Sequence, residues 1–193
     1  TYYGLESQTG KHGVRYEYLV ILFNSKLLEM DYFDGILESN ITAVYGALMA
    51  QNVIEVRYND FKRGEVTDVD FKLDFETKNM KEYELILDQF QSHSTPSNKL
   101  HRGHNRFRKP HNKGIEYGKR EKATPAYQFM KIYHKHLQYK YDSIDFNKCY
   151  HIDHSPNLIR LEITMKNRQH FIRHGIKNTT FENVLSLGQD KLH

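Results

Sequence analysis

Tyr127-Gln128-Phe129-Met130-Lys131-Ile132-Tyr133-His134-Lys135 is the stretch from which the fold of this chain is read. Side chains of a β-strand point alternately to its two faces. Gln128, Met130, Ile132 and His134 therefore share one side, and Phe129, Lys131, Tyr133 and Lys135 share the other. Met130 and Ile132 can sink into a core. The opposite face then carries a tyrosine with a lysine two positions before it and another two after it, and nearby ammonium groups favour phenolate and attract phosphate.

Two further segments alternate in the same way. In Thr67-Asp68-Val69-Asp70-Phe71-Lys72-Leu73-Asp74-Phe75 the apolar positions 69, 71, 73 and 75 face a core, which leaves Asp68, Asp70, Lys72 and Asp74 together on the far side. Three carboxylates on one strand face repel one another unless a cation or a basic partner lies over them. In Leu158–Lys166, Ile159, Leu161, Ile163 and Met165 point inward while Arg160, Glu162, Thr164 and Lys166 point outward. Strands spaced at about 4.8 Å would gather Asp70, Asp74, Tyr133 and Glu162 within roughly 10 Å on one face. The expected fold is α+β: one domain over residues 1–193, with a central, mainly antiparallel sheet and flanking helices.

Helix signals fill the rest. Ser39 or Asn40 caps Ile41–Met49, with Val44, Ala47 and Leu48 as its inward stripe. Asn79 with Glu82 three residues on starts a helix whose stripe is Tyr83, Ile86, Leu87 and Phe90. A helix begins at or near Asn167 and ends at Gly175, and Phe181–Leu187 forms another. The continuous apolar run Tyr18–Phe23 predicts a strand buried on both faces, Val53–Tyr58 a further strand, and Ile115–Lys119 a short one. Residues 1–15 read as an extended lead-in.

A 193-residue chain with 38% hydrophobic residues can bury one core, yet no run approaches the eighteen or so apolar residues of a membrane span. No membrane partner is expected. The single cysteine, Cys149, precludes an internal disulfide framework and fits a reducing, cytoplasmic location. The chain opens on Thr1 with no basic-then-apolar leader, as a processed or trimmed chain would rather than a secreted precursor. Net charge is +4, unevenly spread: between His93 and Lys122 nine Lys and Arg face two Glu, so the remainder is mildly acidic. The basic loop, at about residues 92–114, predicts a polyanion partner, with Arg102, Arg106, Arg108, Lys109 and Lys113 as its phosphate contacts and Phe107 available to stack on a base. Cys149, His151 and His154, and the loop histidines His101, His104 and His111, do not complete a metal-ligand pattern.

The succession of polar faces resembles the rolling-circle replication initiators of the Rep_trans and filamentous-phage gene II type, and the related relaxases of conjugative elements. Their pattern is an Arg-x-Asp-x-x-x-Asp strand, a Gly-containing strand, a strand ending in Tyr-Asp-Lys, and an Arg-x-Glu strand followed by a short helix. The counterparts here are Asp68-Val69-Asp70-Phe71-Lys72-Leu73-Asp74, Tyr117-Gly118-Lys119-Arg120, Ile132-Tyr133-His134-Lys135 and Arg160-Leu161-Glu162. Asp68 stands where the pattern has Arg, and His134 where it has Asp. The resemblance covers roughly residues 18–176. It implies an endonuclease and strand transferase that initiates replication by nicking and rejoining single-stranded origin DNA through a 5′-phosphotyrosine. It also implies Tyr133 as nucleophile, Lys135 as electrostatic helper, Asp70, Asp74 and Glu162 as ligands of Mg2+ or Mn2+, and Lys131 and Arg160 at the DNA. A host helicase and polymerase would be further partners. Two other readings compete: a His-x-His nicking endonuclease built on His134-Lys135-His136, and a non-enzymatic nucleic-acid-binding domain.

Overall fold

The computed structural model describes residues 1–31, 34–92, 114–117, 129–135, 137 and 157–190. The chain, expected to be one domain over 1–193, divides into two compact units, Thr1–Gly64 with Thr180–His193, and Glu65–Thr179. Each unit closes on its own ends. The Phe181 N–H donates to the Gly64 carbonyl at 2.9 Å in the first, and the Val66 N–H to the Thr179 carbonyl at 2.8 Å in the second. No helix among the described residues is long and apolar enough to cross a membrane.

Helices and antiparallel sheets make the chain α+β. Its larger sheet, in the Glu65–Thr179 unit, joins β3 (Asp68–Glu76), β4 (Gly114–Tyr117), β5 (Phe129–His134) and β6 (Leu158–Lys166) in the order β3-β6-β5-β4, every pair antiparallel. The three alternating segments are thus immediate neighbours, and their apolar positions share one face. Tyr83, Ile115, Ile132 and Ile159 form the buried centre of that face, with Phe75, Met80, Ile86, Leu87, Phe90, Met130 and Leu161 packed round them. Tyr83, Met80, Ile86, Leu87 and Phe90 come from α3 (Met80–Ser92), the helix that covers the sheet. α3 starts where Asn79 and Glu82 predict. The Glu82 N–H donates to Asn79 Oδ1 at 3.0 Å, and Glu82 Oε2 reaches back to the Lys78 N–H at 2.5 Å, satisfying two N–H groups at the start of the helix.

β6 runs directly into α4 (Asn167–Arg173). Asn167 sits at φ 62°, a left-handed position that asparagine tolerates better than most residues, and its Oδ1 accepts from the His170 N–H at 3.1 Å. The helix ends as expected at Gly175, whose φ of 81° suits a residue without Cβ. Gly175 N–H bonds to Ile172 O, and Ile176 N–H to Phe171 O, the paired bonds of a Schellman close.

In the first unit, β1 (Tyr2–Thr9) and β2 (Arg15–Leu22) form a two-stranded hairpin, so residues 1–15 are strand and turn rather than a lead-in. β2 is not buried on both faces. The Tyr3–Ile21 pair packs on a core of Leu28, Ile41, Val44, Leu48, Phe61 and Leu185. Leu5 and Leu19, the next pair on the same side, have run past that core and are 74% and 41% exposed. α1 (Ile41–Met49) is the predicted helix, but Asn40 turns its amide backward to Leu37 N–H and Gly35 O instead of capping forward. Residues 53–57 are irregular and are followed by α2 (Tyr58–Arg63), so no strand forms there. α5 (Phe181–Asp190) completes this core with an edge-on contact of Phe61 and Phe181 at 5.1 Å.

Candidate active site

Antiparallel register sets the polar positions of β3, β6 and β5 in rows across the sheet. Asp74 stands opposite Arg160, and Arg160 opposite Tyr133. One row further, Lys72 stands opposite Glu162, and Glu162 opposite Lys131. The next row is Asp70, Thr164 and Phe129. Charges therefore alternate along β3 from Asp70 through Lys72 to Asp74, and across the sheet Arg160 faces Asp74 while Glu162 lies between Lys72 and Lys131. Arg160 grips Asp74 with two parallel bonds of 2.6 Å, Lys72 approaches the same carboxylate at 3.5 Å, and Lys131 reaches Glu162 Oε2 at 2.5 Å. Thr164 Oγ1 donates to Asp70 Oδ1.

Tyr133 lies within this array. It is 2% exposed, and its hydroxyl donates to Glu162 Oε1 at 2.6 Å. The Nζ atoms of Lys131 and Lys135 each lie 5.4 Å from its ring centroid. Lys135 is 1% exposed, and burial, with Arg160 and Lys131 adding repulsion, pushes its ammonium down to about 6 against the pull of Glu162 and Asp74. Burial works against ionisation of Asp74. The hydrogen bonds and charge of Arg160, helped by Lys72 and Lys135, outweigh it and hold the carboxyl below its ordinary range. The fourth strand supplies space. Gly114 is the register partner of Tyr133, and a Cβ there would lie 2.6 Å from the Ile132 carbonyl oxygen and 2.8 Å from Tyr133 Cβ.

Tyr133, Glu162, Lys131, Lys135, Arg160 and Asp74 are brought together as the alternation predicts. Asp70 is not part of that group: four residues from Asp74 along β3, it stands roughly 13 Å away, too far to share one ion with Asp74. All four carboxylate oxygens of Asp74 and Glu162 are already met by Arg160, Lys131 or Tyr133. As they stand, these residues do not fit a divalent ion, and among the described residues no group of three or more His, Cys, Asp or Glu is placed to hold a metal. Arg160, expected at the DNA, is 3% exposed and committed to Asp74. His134 faces the other way, its ring edge-on to Tyr83 at 5.2 Å, so the His-x-His reading finds this histidine in the core. Arg102, Arg106, Arg108, Lys109, Lys113, Gly118, His136 and the histidines and cysteine at 149–154 lie outside the described residues.

Gly114 is the position that sequence reasoning missed. A glycine was expected on this strand at Gly118, whereas the one opposite Tyr133 borders the basic loop and reads as its end. Lys72 meets Asp74 on its own strand, a contact that follows from their i, i+2 spacing. No family model, no curated protein and no solved structure matches this chain.

Proposed function

We propose that this chain is a DNA-nicking and joining enzyme in which Tyr133 is the nucleophile, acting in the initiation of rolling-circle replication. The observation that carries the reading is the 2.6 Å hydrogen bond from the Tyr133 hydroxyl to Glu162, made between two lysines and beside Arg160. A phenol ionises near 10 and is a weak nucleophile at neutral pH, so an acceptor for its proton and nearby positive charge are what it needs. Glu162 takes the proton as the phenolic oxygen bonds to phosphorus. The P–O3′ bond breaks, the 3′ oxygen leaves and is protonated, and the 5′ phosphate stays on Tyr133. Lys131 faces the charge that builds on the phosphoryl oxygens, while Lys135, held largely neutral above about pH 6, offers them an N–H donor rather than a charge. Attack by a 3′ hydroxyl on the phosphotyrosine runs the same steps backward and rejoins the strand.

No step here passes through an ion. Mg2+ or Mn2+ would be held here only if Asp74 and Glu162 were freed from Arg160 and Lys131. Lys131→Met is therefore expected to bind Mn2+ several-fold more tightly than the wild type in calorimetry, and equal affinity would remove Glu162 from the ligand set. The reading itself is tested with a labelled single-stranded oligonucleotide. Tyr133→Phe should form no denaturation-resistant adduct, while Glu162→Gln should form it on the order of 100-fold or more slowly. An adduct formed by Tyr133→Phe would move the nucleophile to another tyrosine, with Tyr127, Tyr139 and Tyr141, all outside the described residues, next in line.

A further inference from the structure

From Ile163 to Phe181 the chain has no carboxylate, and it carries Lys166, Arg168, Arg173 and Lys177. Lys166 is taken up by Asp68 at 3.6 Å. Arg168, Arg173 and Lys177 are exposed, and none makes a salt bridge or a side-chain hydrogen bond among the described residues. Three exposed cations with no carboxylate in their own segment make this a positively charged surface. The Schellman bonds at Gly175 make this an ordered surface rather than a loose tail, with Arg173 just before the turn and Lys177 just after it.

We propose that α4 and its closing turn bind the phosphate backbone of a single nucleic-acid strand, with Arg168, Arg173 and Lys177 each meeting a phosphate. Two of the three are guanidinium groups, whose planar fork of donors matches phosphate oxygens in pairs. A lipid surface fits less well. Ile172, 40% exposed, is the large apolar side chain this helix leaves in water, and Gln169 stands exposed nearby, whereas a helix that lies in a membrane interface buries a whole apolar face. The placement also suits the proposed nicking site, and in this respect the inference rests on that reading. β6 carries Glu162 and, roughly 13 Å further along, enters α4, so a strand whose phosphate is held at Tyr133 reaches these cations within a few nucleotides.

The test is binding without chemistry: anisotropy of a labelled oligo-dT with the full chain, titrated over salt. Replacing Arg168, Arg173 and Lys177 together by Gln should make the slope of log Kobs against log salt shallower by about 2, because three fewer phosphates are neutralised and single strands lose about 0.7 per contact. Arg173→Gln alone should change the slope by about 0.7. A charge-matched control, Lys11, Arg63 and Lys81 replaced by Gln, should leave it unchanged. An unchanged slope in a folded triple variant, or a wild type that does not bind the oligonucleotide, overturns the proposal. So does loss of binding to phosphatidylserine vesicles with the oligonucleotide slope intact, which would assign the surface to a membrane. If the slope falls as expected but Tyr133 forms no adduct, the nicking reading fails and this surface stands; the reverse pair of outcomes separates them the other way.

Discussion

At Lys135 an ammonium has been carried out of water, and its proton is the measurable result. The unfolded chain keeps that proton up to the ordinary 10.5, whereas burial first, then Arg160 and Lys131, bring the folded value to about 6. Between those two values the unfolded state binds more protons, so stability rises with pH, by up to about 1.4 kcal/mol per pH unit from this group. Lys135→Met should flatten the rise in melting temperature between pH 6.5 and 9 (about the middle of that window). An unchanged slope would mean that another group titrates there. Gly114 makes a second test. A methyl group there meets the Ile132 carbonyl and the body of Tyr133, and backbone does not yield as a flexible side chain would. Gly114→Ala is expected to cost about 1–3 kcal/mol, read from the urea midpoint, and to slow adduct formation. The spacing of Lys135 from Tyr133 was legible in the sequence, but its burial was not, because periodicity assigns a face and says nothing of what covers it. Gly114 was illegible for a related reason: its partner is 19 positions away (Gly114 and Tyr133), and only the register of β4 on β5 joins them.

At the level of elements, alternation found the three strands and failed where its premise failed. Tyr18–Phe23 is apolar throughout, which suits a strand covered on both sides, yet β2 has a single neighbour and a core that ends at Tyr3 and Ile21. Val53–Tyr58 has strand-forming residues but finds no partner strand, and α2 begins at its last residue. The apolar face of the larger sheet cannot by itself fix register, since a slip of two residues returns every apolar side chain to the core. The charges can. Sliding β3 by two against β6 sets Lys72 against Arg160 and Asp70 against Glu162 in one direction, and Asp74 against Glu162 in the other. The Arg160–Asp74 pair should therefore behave as a unit. Arg160→Met takes the bidentate partner from the half-buried Asp74 carboxylate and leaves Lys72 at 3.5 Å beside it; it is expected to cost about 1–3 kcal/mol, whereas adding Asp74→Leu should recover a large part of that. Additive losses in the double variant would show that the two side chains act separately.

For the whole molecule, the division into units carries its own prediction. Every residue of the candidate site belongs to one continuous segment, Glu65–Thr179, whose ends are already bonded through Val66 and Thr179, with the Thr179 hydroxyl also donating to Glu65 at 3.3 Å. Excised, that segment should fold with one cooperative transition and keep adduct formation by Tyr133. A fragment that is folded but inactive would place a needed group in the first unit. The same connectivity decides how the protein yields to force. A pull between β1 and α5 enters and leaves through the first unit, because the chain departs at Gly64 and is back, bonded to it, at Phe181. While that bond holds, tension bypasses the sheet. In an optical trap the first unit should rip before the second lengthens, whichever is the more stable, so the order of rupture is written in where the chain crosses rather than in how strongly each part is packed.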